Sequence, residues 1–144
     1  MKTNPGSATK KLMTLFMAKS KVIFDTNIWV ASIISNDALH KKAVTLLKEY
    51  NSVIYLTEDI VSELITVLKR YNELGKAKSF VDLIYSNSDF AVIPAPDYYQ
   101  DTLAYFLRSD DKKLSFVDMS LAVLSKRYKI ETFDKELKKV INNK

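Results

Sequence analysis

Four acidic residues stand where apolar segments of this chain end or turn: Asp25, Glu63, Asp118 and Asp134. Asp25 closes Val22-Ile23-Phe24, and Asp134 closes Ile130-Glu131-Thr132-Phe133. Glu63 lies within Ile60-Val61-Ser62-Glu63-Leu64-Ile65, and Asp118 interrupts the apolar stretch from Ser115 to Leu124. A carboxylate beside a core loses hydration and is costly there without a compensating charge. If one fold gathers the four, a divalent cation is the natural compensation, and phosphodiester hydrolysis is the chemistry such a site supports.

Composition narrows the alternatives. The chain has 144 residues, enough for one domain with a real core, and 47% of them are hydrophobic against 27% charged, which argues against disorder. There is no cysteine and a single histidine, His40, so disulfides, thiolate zinc sites and cysteine nucleophiles are excluded. A metal would have to sit on oxygen ligands, which favours Mg²⁺ or Mn²⁺. The formal net charge of +5, with basic residues concentrated between Arg108 and Lys129 and after Asp134, suits a polyanionic partner such as nucleic acid. No apolar run approaches the roughly 20 residues that cross a bilayer, and Leu12 to Ala18 is too short and too closely followed by Lys19 and Lys21 for a signal peptide. No membrane association and a cytoplasmic location are the expectation.

The elements that must position these carboxylates alternate in type. Val22 to Phe24, Val53 to Leu56, Phe90 to Ile93 and Ile130 to Phe133 are short continuous apolar runs that predict buried strands. Between them the pattern predicts helices over Ile28–Ile34, Ala38–Tyr50 with Asp37 as N-cap, Thr57 to about Tyr71, Lys76–Ser86 after a break at Gly75, Asp97 or Tyr98 to Leu107, Phe116–Tyr128, and Lys135–Ile141. Strands separated by helices imply an α/β domain with a central, mainly parallel sheet of four or five strands. Residues 1–20 read as an extension ahead of a domain spanning 21–144: a tag, a misplaced start or a frayed helix. In open α/β sheets, sites form at the carboxyl ends of strands, where Asp25 and Asp134 fall.

Each acid also has a plainer reading. Asp25 suits the N-cap of the helix that follows it, Ser115-x-x-Asp118 is a capping-box pattern, and Asp134 suits the N-cap of the last helix. Glu63 suits the solvated face of an amphipathic helix. His40 reads as a surface residue, and Trp29 with the Tyr98-Tyr99 pair as packing groups rather than base-stacking ones.

Three segments together resemble the PIN-domain ribonucleases. Phe24-Asp25-Thr26-Asn27 is similar to their first strand-end motif, and Ser62-Glu63-Leu64 matches the position of their helical acid. Leu114-Ser115-Phe116-Val117-Asp118 with Ile130-Glu131-Thr132-Phe133-Asp134 is similar to their C-terminal signature. The resemblance runs from about Lys21 to Leu137, and the compact size resembles the VapC-type toxins of toxin–antitoxin pairs. It implies a three-layer α/β/α fold and an acidic pocket of Asp25, Glu63, Asp118 and Asp134. In that pocket Asp25 and Asp118 would be the most direct Mg²⁺ or Mn²⁺ ligands, with Asp134 and Glu63 completing the site. It further implies that Thr26, Asn27, Ser115 and Thr132 position substrate or orient ligands. The activity implied is in-line hydrolysis of RNA to a 5′-phosphate and a 3′-hydroxyl, and the partner implied is an antitoxin protein. A housekeeping PIN nuclease in RNA maturation or decay, or a non-catalytic RNA-binding domain, are the alternatives. The apolar load of the helices over Ile60–Tyr71 and Lys76–Ser86 predicts a homodimer.

Overall fold

The computed structural model describes Thr9 and residues 21–143. Four strands, β1 (Val22–Phe24), β2 (Ile54–Thr57), β3 (Phe90–Ile93) and β4 (Lys129–Glu131), form one sheet in the order β3-β2-β1-β4, every pairing parallel. Seven α-helices connect or follow them: α1 (Thr26–Ile33), α2 (His40–Lys48), α3 (Glu58–Arg70), α4 (Leu74–Ser86), α5 (Tyr99–Arg108), α6 (Phe116–Leu124) and α7 (Lys135–Asn142). The chain steps from β1 to β2 to β3 in one direction, then returns past β1 to lay down β4. Right-handed crossovers therefore put α1 to α4 on one face and α5 and α6 on the other. The α/β/α layering with a four-stranded parallel sheet is the architecture the sequence implied. None of the described helices is long and apolar enough to cross a membrane. The N-terminal extension expected over 1–20 lies outside the described residues, Thr9 apart.

The inner strand β1 reads as an apolar run because it is buried on both faces, with Val22, Ile23 and Phe24 wholly inaccessible, whereas the edge strands β3 and β4 are only partly covered. Trp29 on α1 sits in an aromatic cluster with Phe24, Phe80 and Phe90, and Tyr98 is buried, so both are packing residues as expected. Tyr99 is exposed on one side and packs on Phe116 with the other.

Several boundaries differ from the sequence reading for identifiable reasons. The break before α4 comes earlier than Gly75, which lies in the helix's first turn. Asn72 adopts a left-handed φ of 57°, and the Asn72 and Glu73 N–H groups bond back to Lys69 and Leu68 carbonyls, closing α3. Asp37 is not the N-cap of α2. Its Oδ1 accepts from Leu39 N at 2.8 Å, a turn that delays the helix to His40. His40 is half-buried rather than on the surface, with Nδ1 2.8 Å from the Ala31 carbonyl, and so ties α2 to α1. α6 stops at Leu124 because the Arg127 and Tyr128 N–H groups both turn back onto the Leu124 carbonyl. β4 is displaced from the expected frame: it begins at the exposed Lys129 and ends at Glu131, leaving Thr132 and Phe133 outside the ladder.

Candidate active site

The sheet order makes the gap between β1 and β4 a topological switch point, where chains leave in opposite directions and open a crevice at the carboxyl ends. Asp25 follows β1 directly, and its backbone N–H extends the ladder to the Glu131 carbonyl at 2.8 Å. Its side chain is 5% exposed. Oδ1 accepts from Thr26 N at 2.7 Å, which makes Asp25 the N-cap of α1, and Oδ2 accepts from Thr132 Oγ1 at 2.7 Å.

Thr132 is the hub of this crevice. Its Oγ1 accepts from Asp134 N at 3.0 Å and from Asn27 Nδ2 at 3.3 Å. With both lone pairs engaged, its one proton is directed to Asp25. Asn27 is held in turn by Phe133 N, which donates to its Oδ1 at 3.3 Å. These bonds replace the sheet pairing that Thr132 and Phe133 forgo, and they explain why β4 ends early. Thr132 is 3% exposed, so its bond to Asp25 is buried, while the bonds to Asn27 and Asp134 are partly open to solvent.

The other acids approach this centre from three elements. Asp118 is in the first turn of α6, where a capping box holds it: Ser115 N donates to Asp118 Oδ2 at 2.9 Å and Asp118 N donates to Ser115 Oγ at 3.1 Å. Glu63 is exposed on the second turn of α3, whose start is fixed by the Thr57 cap and by the buried Tyr98 hydroxyl donating to Asp59 Oδ2 at 2.9 Å. Asp134 caps α7, its Oδ1 accepting from Glu136 N and Leu137 N at 2.8 and 3.2 Å. The capping roles and the crevice positions thus coexist in the same residues.

The electrostatics centre on Asp25. Burial chiefly, with smaller contributions from the charges of Asp118 and Glu63, raises its carboxyl pKa to about 6 against the pull of the Thr132 and Thr26 hydrogen bonds. Both acids therefore lie within interaction range of Asp25. Among the described residues, no three acidic or histidine side chains stand close enough to form a ready-made metal cage. Asp118 Oδ1, Asp134 Oδ2 and the Glu63 carboxylate nevertheless have no hydrogen-bond donor among the described residues, so each keeps an oxygen available to a cation.

Residues 22–142 match the model of the PIN domain family. The chain belongs to the PIN domain family. Among solved structures this PIN domain is similar to that of Mycobacterium tuberculosis VapC20, described as a sarcin–ricin loop cleaving toxin. The two are 23% identical with a TM-score of 0.72, over 82% of this chain and 93% of the other. At that identity the likeness concerns the fold. A comparison with curated proteins gave no match. The sequence marks Thr132 only as a supporting residue. The one signal of its central place is a threonine lying two residues before a capping aspartate, at the end of a strand.

Proposed function

We propose that this PIN domain is an endoribonuclease that hydrolyses RNA phosphodiester bonds with Mg²⁺ or Mn²⁺, and that it is the toxin of a toxin–antitoxin pair. The observation that carries the proposal is the buried Asp25 carboxylate at the switch point, made hard to ionise by burial and by the charges of Asp118 and Glu63. Membership of the PIN family and the likeness to a toxin described as cleaving the sarcin–ricin loop support RNA as substrate and toxicity as role. An RNA substrate implies work in the cytoplasm.

The donor set fits a hard divalent ion. It offers only oxygens, one buried carboxylate that needs positive charge, and three flanking acids with uncommitted oxygens. Asp25 and Asp118 would hold the ion, with Glu63 and Asp134 completing the set, and when bound it supplies positive charge and Lewis acidity at the phosphodiester. The chain's own part is orientation. Thr132 and Thr26 N fix the two Asp25 oxygens, Asn27 and Asp134 N fix the proton direction of Thr132, and Ser115 fixes Asp118. Burial of Asp25 and Thr132 keeps water out from beneath the carboxylate, so its charge is directed to the crevice.

The toxin reading further implies an antitoxin partner and a homodimer. Sequencing of RNA ends after brief induction in cells tests it. New 5′-phosphate ends at defined sites with growth arrest are expected, both relieved by Asp25→Asn. Harmless accumulation of the wild-type protein would favour the housekeeping nuclease.

A further inference from the structure

A lysine stands at the rim of the crevice with its charge unpaired. Lys42 Nζ lies 5.3 Å from the centroid of the Phe133 ring. Phe133 is bonded on one side to Thr132, which donates to Asp25, and on the other to Asp134. Lys42 is exposed and has no carboxylate within ion-pair distance among the described residues. Of the other lysines near this rim, Lys113 and Lys139 both lie 3.7 Å from Glu136, whereas Lys135, directly after Asp134, is exposed and, like Lys42, has no ion pair among the described residues.

The position of Lys42 is set by the backbone beneath it. Ala43 is fully buried, and the His40 contact to the Ala31 carbonyl docks the first turn of α2 on α1. The Phe133 face then guides the ammonium along the aromatic surface without neutralising it. Beside it opens a cleft of about 330 Å³ lined by Lys41, Lys42, Thr45, Leu46 and Glu49. A polyanion entering a crevice lined with carboxylates is repelled unless cations meet it at the edge.

We propose that Lys42 binds a backbone phosphate of the RNA strand next to the one cleaved, leading the strand over Phe133 into the carboxylate crevice. The inference rests on the nuclease reading above and adds to it a direction of approach, from the α2 side. It makes Lys42 a substrate-positioning residue.

The test is fluorescence anisotropy of a labelled single-stranded RNA of about 12 nucleotides, titrated at several salt concentrations, in parallel with cleavage kinetics. Lys42→Gln is expected to raise Kd roughly tenfold at low salt and to reduce the slope of log K against log salt by about 0.7, the value of one single-strand phosphate contact. Lys42→Arg is expected to restore both. Lys78→Gln removes the same charge from α4, which packs on β3 at the opposite sheet edge, and is expected to change neither. Equal affinity and slope for Lys42→Gln and wild type would overturn the proposal, as would an equal loss in Lys78→Gln. Cleavage without Lys42 dependence would refute the phosphate site alone. Lys42-dependent binding without any cleavage would refute the nuclease reading and leave the phosphate site standing. Absence of RNA binding by the wild type would overturn both.

Discussion

Replacing Asp25 by Asn should change the stability of the metal-free chain by an amount whose sign depends on pH. The folded carboxyl is raised from 3.8 to about 6, chiefly by burial. At about 1.4 kcal/mol per pKa unit, that corresponds to about 3 kcal/mol against the ionised folded form. A folded pKa above the unfolded one means that stability is fully present below the ordinary carboxylate value and is lost as pH rises through 6. At a pH of about 7.5 nearly the whole cost is expressed. Asparagine removes it but cannot reproduce both bonds. Its carbonyl can accept from Thr26 N, whereas its NH₂ then faces a Thr132 oxygen that already accepts from Asn27 and Asp134. That mismatch costs about 1 kcal/mol. The variant should therefore be more stable than wild type by about 2 kcal/mol near pH 7.5, and equal or about 1 kcal/mol less stable near pH 4. Urea unfolding followed by circular dichroism in chelator, at both pH values, measures the gap. Acids remote from Asp25 titrate in both proteins and cancel in the difference, while the coupling to Asp118 and Glu63 is already contained in the raised value of Asp25. A gap that stays constant between the two pH values would refute the reasoning, because it would mean that Asp25 carries no burial penalty.

Thr132→Val keeps the shape but removes the donor to Asp25, and should destabilise the chain by about 1.5–3 kcal/mol while moving the acid limb of the pH–rate profile upward; an unmoved limb would argue against Thr132 as the orienting group. Millimolar Mg²⁺ should raise the thermal midpoint of wild type at about pH 7.5, and much less so for Asp25→Asn, as followed by differential scanning calorimetry; equal rises would place the ion elsewhere. Tyr71, Leu74, Leu83 and Tyr85 remain exposed on and beside α4, so light scattering should return about twice the single-chain mass of 16.5 kDa, and a mass of 16.5 kDa would refute the dimer.

Much of the fold is legible in the sequence because burial on both faces leaves a signature in the residues themselves. Val22-Ile23-Phe24 could hardly be anything but an inner strand, and Thr57 with Glu58 and Asp59 marks the start of α3 through its cap. Capping residues are legible for the same local reason: Asp25, Ser115 with Asp118, and Asp134 all cap as their spacing suggests. What local pattern does not carry is partnership across the chain. The Thr132 to Asp25 bond joins residues 107 positions apart, and Asn27 reaches Thr132 across 105. Such contacts depend on β4 lying beside β1, which the sequence allows but does not dictate. The early end of β4 is a consequence of that network, so its boundary is hidden along with it. The end of α3 near Tyr71 is legible, but the start of α4 is hidden because Asn72 takes the left-handed position that glycine more often fills, with Gly75 standing close by as the more obvious break.

Hydrolysis of RNA with a divalent cation, at the crevice around Asp25, is tested most directly by incubating the purified protein with labelled single-stranded RNA. The conditions are Mg²⁺ or Mn²⁺, excess EDTA, and EDTA followed by restored metal, each beside Asp25→Asn. Cleavage to 5′-phosphate and 3′-hydroxyl ends is expected with metal, with none in EDTA, recovery on restoring the ion, and no cleavage by Asp25→Asn under any condition. Undiminished cleavage by wild type in EDTA, or by Asp25→Asn in metal, would show that neither the ion nor this carboxylate is needed, and the proposed function would fall.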